Sequence, residues 1–188
     1  TTAEAHRRVM VVEVMGRHAG WIATFAGLAG GADVILIPEQ PFDIELVCDV
    51  VQKRHKRGKN FSLVVVAEGA HPKTGQLVLQ EEKKDAFGHV RLGGIGNLVG
   101  AEIEKRTGIE TRVTILGHIQ RGGAPTPTDR IRATRLAVGA VELLEQGKFG
   151  YMTGIHGNDI GAVPLAEATS RIKTVTPQFF KVAEVFFG

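Results

Sequence analysis

The sequence predicts an α/β fold, a mostly parallel sheet flanked by helices, on three observations. Short β-branched runs alternate with amphipathic stretches along the chain, the pattern of repeated βαβ units. The runs are apolar on both faces, as strands covered by helices on each side must be. Capping signals mark two further helices after the last of these runs.

Val9-Met10-Val11-Val12-Glu13-Val14 reads as the first buried strand, with a helix after it over about 19–30. Val34-Ile35-Leu36-Ile37 is the second strand, and a helix over 43–57 ends in the basic run Lys53-Arg54-His55-Lys56-Arg57, where cations suit the negative end of the helix dipole. Leu63-Val64-Val65-Val66 is the third strand. Residues 70–92, opening His71-Pro72-Lys73-Thr74-Gly75, are polar and rich in turn signals, so an inserted hairpin or loop is expected there. Ile95, Leu98, Val99 and Ile103 recur at helical spacing within 93–107, and Thr111-Arg112-Val113-Thr114-Ile115-Leu116 forms the fourth strand. A helix over 127–147 is well signposted: Thr126 caps it, Pro127 suits its first position, Asp129 stands three residues past the cap, and Gly147 ends it. Its apolar stripe is Ala133, Leu136, Ala137, Ala140, Val141 and Leu144. Thr176-Pro177 repeats the start signal for a terminal helix with Phe179, Phe180, Ala183, Phe186 and Phe187 on one face.

Composition narrows the class. The 188 residues are 43% hydrophobic and 23% charged, with a net charge of +3, which excludes a disordered chain. A chain of this length folds without a metal or disulfide staple, and the single cysteine, Cys48, fits a reducing, cytoplasmic setting. Bases are scattered and aromatics make up only 6%, which argues against a nucleic-acid partner. No apolar stretch approaches the ~20 residues that span a bilayer, and no signal peptide opens the chain. It begins Thr1-Thr2 rather than with methionine, as a trimmed terminus or an excised fragment would. No zinc-type cysteine pair, nucleophile elbow, Walker A loop or dinucleotide fingerprint is present.

In open parallel sheets, ligands bind beyond the carboxyl ends of the strands. The first strand runs into Met15-Gly16-Arg17-His18, the third into Glu68-Gly69, and the fourth into Gly117-His118-Ile119-Gln120-Arg121-Gly122-Gly123. Parallel strands would bring Arg17, Glu68, His118 and Arg121 to one rim. Two arginines, a histidine and glycine N–H groups are what a phosphate dianion needs, and a carboxylate beside them accepts hydrogen bonds from sugar hydroxyls. A phosphorylated polyol site is the expectation. Singly, each residue has a plainer use as a turn glycine or surface charge; their gathering carries the reading. Arg8 and Arg112 stand at the starts of their strands, on the opposite edge. A six-residue strand spans roughly 20 Å, beyond an arginine's reach. They are either plain surface charges or donors to the equivalent site on a neighbouring subunit.

Val11-Val12-Glu13-Val14-Met15-Gly16-Arg17, Ala67-Glu68-Gly69 and Gly117-His118-Ile119-Gln120-Arg121-Gly122-Gly123, the last followed by Pro125 and Asp129-Arg130, closely resemble the bacterial-type phosphofructokinase family. The resemblance covers essentially all of this chain but only the C-terminal half or so of the family's. It implies a cytoplasmic glycolytic transferase, homotetrameric when intact, that moves the γ-phosphoryl of ATP, with Mg²⁺, to the 1-hydroxyl of fructose 6-phosphate. By that resemblance Met15, Gly16 and Glu68 hold the sugar, His118 the 6-phosphate, and Arg121 lies near the reacting groups. Arg17 steadies the transferring phosphoryl, and Arg8 and Arg112 match two arginines that reach across a subunit interface. Asp33, Arg57 and Lys59 fall where the family's activated members place effector contacts, with Asp33 and Arg57 altered in type.

The same resemblance divides the chain into a fructose 6-phosphate lobe at 1–121, a segment at 122–175 that returns to the nucleotide lobe in the full enzyme, and a terminal helix at 176–188. The family's phosphate-binding glycine loop, Mg²⁺ site and Thr-x-Asp-x-Asp base lie upstream of these residues. The isolated polypeptide is therefore expected to be inert. Pyrophosphate in place of ATP, and a non-catalytic sugar-phosphate-binding module, are the two rival expectations.

Overall fold

A computed structural model of the chain describes residues 2–73 and 94–187. The chain divides into two units, Thr1–Gln120 with Thr174–Gly188, and Arg121–Lys173.

In the first unit the order is α1 (Thr2–His6), β1 (Val9–Val14), α2 (Trp21–Gly30), β2 (Val34–Leu36), α3 (Ile44–Lys56), β3 (Ser62–Ala67), α4 (Ile95–Thr107) and β4 (Thr111–Ile115). A 3-10 turn over Gly117–Arg121 follows β4. The four strands form one parallel sheet in the order β2-β3-β1-β4. The sequence predicts all four, with no end shifted by more than one residue. α1 was not predicted, and the expected insertion from residue 74 onward lies outside the described residues.

Alternation along the strands builds two apolar layers. Val9, Val11, Val34, Leu36, Val64 and Val66 meet α3 and α4 through Ile44, Val47, Val51, Ile95, Val99 and Ile103. Val14, Ile35, Val65 and Ala67 meet α2 and the terminal helix through Ala23, Phe180 and Ala183. Cys48 lies inside the first layer, and burial pushes its thiol up to about 11. Glu13 sits on the α4 side, only 2% exposed. Its carboxylate accepts from the N–H groups of Gly94 (3.1 Å) and Gly96 (2.7 Å), so a strand residue caps a helix whose own N-cap glycine has no side chain to offer.

The second unit holds α5 (Pro127–Glu145), an antiparallel hairpin of β5 (Tyr151–His156) and β6 (Asp159–Pro164), and α6 (Leu165–Ala168). The predicted cap forms as a capping box: Thr126 Oγ1 accepts from the Asp129 N–H at 3.2 Å, and Asp129 accepts from the Thr126 N–H at 2.9 Å. α5 lies on the hairpin at Gly139, where a Cβ would stand 2.8 Å from Ile160 Cγ2. The hairpin was missed, although Gly157-Asn158 between two runs of matching length is a turn signal.

The terminal helix, α7, runs Pro177–Glu184 in the first unit with Thr176 as its cap. One expectation is corrected here. Phe186 and Phe187 both lie past the helix end; Phe187 still packs beside Phe180, ring centroids 6.1 Å apart, on the expected side, whereas Phe186 is 60% exposed. The apolar periodicity of the sequence continues past Glu184, where the chain stops winding.

Candidate functional site

β1 and β3 are neighbours, yet the chain leaves β1 for α2 on one face of the sheet and leaves β3 for α4 on the other. The chain thus leaves adjacent strands for opposite faces, which makes the carboxyl ends of β1 and β3 the usual ligand position in such a sheet. Met15, Gly16 and Arg17 follow β1, and Glu68 and Gly69 follow β3.

The loops that follow β1 and β3 are tightly tied there. The Glu68 N–H donates to the Val14 carbonyl at 2.8 Å, and the Gly69 N–H donates to the Gly16 carbonyl at 3.0 Å. The Gly16 N–H points at Glu68 Oε1, 3.4 Å away. A Cβ on Gly69 would stand 2.0 Å from the Arg17 carbonyl oxygen, so only glycine lets the two loops approach this closely. Gly16 takes φ 148°, and a Cβ there would lie 2.9 Å from the Ala19 carbonyl oxygen. Arg17 and Glu68 are both half-buried.

β4 flanks β1 on its other side, and its 3-10 turn carries His118, which is exposed, and Gln120, which is half-buried. The Met15 N–H donates to Gln120 Oε1 at 3.2 Å. The tails of β1, β3 and β4 are therefore joined directly, with the two neighbours tied to Met15 and Gly16. Arg121 ends the same 3-10 turn and is the first residue of the second unit. Gln120 is not among the residues the sequence assigns to the site; its one signal is a side-chain amide placed where a strand gives way to a turn.

The positive end of α2 is already engaged. The Gly20 N–H lies 3.0 Å from each oxygen of Glu39, whose Oε1 also accepts from the Val175 N–H at 2.8 Å. This carboxylate, which no local sequence signal marks, locks the segment before α7 against the loop after β1.

Arg8 and Arg112 stand at the amino edge of the sheet, Arg8 just before β1 and Arg112 paired in register with Met10. Glu110 bridges them, accepting from Arg8 Nε at 2.7 Å and from Arg112 Nη2 at 2.5 Å. The Arg8 hydrogen bond, with Arg112 adding its charge, holds the Glu110 carboxyl below its usual range.

Asp33, Arg57 and Lys59 are not equivalent. Arg57 and Lys59 are exposed, but Asp33 is buried and engaged by the Leu63 N–H (2.8 Å) and Arg54 Nη2 (2.9 Å). Burial raises the Asp33 carboxyl above its usual range despite these partners and the charge of Lys59. The hollow between Arg8, His55, Lys59 and Ile109 is about 10 Å³, room for no more than one water. Among the described residues no three His, Cys, Asp or Glu side chains come together to hold a metal ion. No helix among them is long and apolar enough to cross a membrane.

A parallel sheet covered on both faces, with its switch point at β1 and β3 and with Arg17 and Glu68 on the loops at that carboxyl rim, defines a doubly wound α/β protein. The phosphofructokinase profile matches residues 1–144, and the chain belongs to that family. It is 57% identical over its whole length to a pyrophosphate–fructose 6-phosphate 1-phosphotransferase of Streptomyces coelicolor and 51% identical to an ATP-dependent 6-phosphofructokinase of Mycobacterium leprae. It spans 55% of each, so about half the length of these relatives. Among solved structures, phosphofructokinase from Saccharomyces cerevisiae superposes with a TM-score of 0.74 at 33% identity, over 98% of this chain and 22% of that one. A pyrophosphate-dependent phosphofructokinase from Marinobacter aquaeolei gives 0.76 at 26% identity, over 94% of this chain and 45% of that one.

Proposed function

We propose that this chain is the substrate-binding part of a 6-phosphofructokinase and that its crevice holds fructose 6-phosphate for phosphorylation at the 1-hydroxyl, giving fructose 1,6-bisphosphate. The observation that carries the reading is the joining of three strand tails around Met15 and Gly16 at the β1/β3 switch point. Glu68 accepts from sugar hydroxyls beside the Met15-Gly16 backbone, while His118 and Arg121 take the 6-phosphate end and the neighbouring reacting groups. Arg17 is the catalytic residue here: its fixed charge stabilises the negative charge on the moving phosphoryl without reorganising at the moment of transfer.

Arg8 and Arg112 face the other way, with a strand length of roughly 20 Å between them and the crevice. In this reading they serve the sugar phosphate of a neighbouring copy within a homotetramer. The base that takes the 1-hydroxyl proton, the nucleotide site and Mg²⁺ belong to the part of the relatives that this chain does not span. The second unit packs against that part, and Arg57 and Lys59 are the better placed of the three effector candidates.

ATP is the proposed donor. Pyrophosphate is the second reading, favoured by relatives named for it at 57% and 56% identity. The full-length protein is assayed with fructose 6-phosphate and each donor in turn. Arg17→Ala is expected to lower kcat by about 10²–10³-fold while fructose 6-phosphate still binds. Absence of turnover with both donors, or an undiminished Arg17→Ala variant, overturns the assignment.

A further inference from the structure

We propose that Gln120 is a positioning residue for the sugar-phosphate crevice, a role that rests on the reading above. β1 and β4 pair in parallel as far as Glu13 and Ile115, and the Leu116 N–H donates to the Glu13 carbonyl at 3.0 Å. The next rung of a parallel ladder would join the Met15 N–H to the Leu116 carbonyl. That carbonyl has been diverted: it accepts from the Ile119 N–H, at 3.2 Å, as the chain winds into the 3-10 turn. The Gln120 carboxamide fills the gap, with Oε1 accepting from Met15 (3.2 Å) and Nε2 donating to the Gly117 carbonyl (3.0 Å).

One side chain thus extends the ladder a step beyond the strand and ties that step to the turn that displaced it. Both ends of the amide are used, so donor and acceptor are each required. The step it extends is where the sugar is held, and the turn it grips carries His118. Gln120 sets the distance between the sugar end and the phosphate end of the crevice. Small displacements there weaken binding of a ligand that must reach both ends.

Gln120→Met, similar in shape but unable to make either bond, and Gln120→Glu, which retains an acceptor but no donor, are compared in the full-length protein. Gln120→Met is expected to raise KM for fructose 6-phosphate about tenfold, the worth of one hydrogen bond. It should leave the KM for the phosphoryl donor unchanged and speed hydrogen exchange at the Met15 amide. Gln120→Glu should keep that amide protected and raise KM less, and it carries the test if Gln120→Met does not fold. A lower melting temperature with unaltered KM in both variants would reduce Gln120 to a purely structural residue and overturn the proposal. A wild-type protein that neither binds nor turns over fructose 6-phosphate would instead bring down the crevice reading on which it rests.

Discussion

Glycine decides the crevice at the residue scale because two backbone loops approach more closely than any side chain permits. At Gly69 the obstacle to a Cβ is main chain, 2.0 Å away at the Arg17 carbonyl oxygen and 2.8 Å at that of Gly16, and backbone cannot rotate aside as a flexible side chain could. Gly69→Ala is therefore expected to push the 15–17 loop outward. The expected cost is about 1–3 kcal/mol of stability in urea unfolding, with a loss of fructose 6-phosphate affinity by calorimetry in the full-length protein. An alanine variant with both properties intact would show that the loops do not meet as described. Gly69 was visible in the sequence only as the residue after Glu68; that Arg17 backbone would stand against it depends on contacts across strands far apart in the chain.

At the scale of elements, the helices are held by acceptors borrowed from elsewhere in the chain. α4 begins at a glycine that cannot cap it, and buried Glu13 supplies the missing acceptor from β1. Removing that carboxylate orphans the N–H groups of Gly94 and Gly96 inside the protein. Glu13→Ala is expected to cost about 2–4 kcal/mol, read from chemical denaturation, whereas Glu13→Gln, which keeps one acceptor oxygen, should cost less. Equal stability of all three proteins would exclude the capping role. By contrast α5, whose Thr126 and Asp129 cap each other locally, was legible down to the capping box. The difference is one of range: a cap three residues away is written in the sequence, and one eighty residues away is not.

For the whole molecule, the apolar surface of the second unit sets how the chain behaves in solution. On α5, Val138, Val141 and Leu144 are each more than half exposed, and Phe149 beyond it is 75% exposed, more apolar surface on one element than water-facing helices ordinarily show. The isolated 188-residue chain is expected to bind a hydrophobic dye, to self-associate on size exclusion, and to show no turnover of fructose 6-phosphate with either ATP or pyrophosphate. Measurable turnover by the isolated chain would mean that its own residues supply the proton acceptor and donor site assigned above to the rest of the protein.

The sequence by itself determined the four strands of the parallel sheet, most of the helices and the identity of the residues at those strand ends, because periodicity, capping and strand-to-loop transitions are local. It also placed Arg8 and Arg112 at the amino edge, since strand length alone separates the two ends of a sheet. Only tertiary structure decided that β1 and β3 are neighbours whose exits part to opposite faces. It also decided that Glu110 bridges the two arginines, that Asp33 is buried in its own ion pair, and that Gln120 stands in for a missing rung of the ladder. Each of these depends on which distant segments lie side by side, and that is settled by packing the two faces of the sheet rather than by any single stretch of chain.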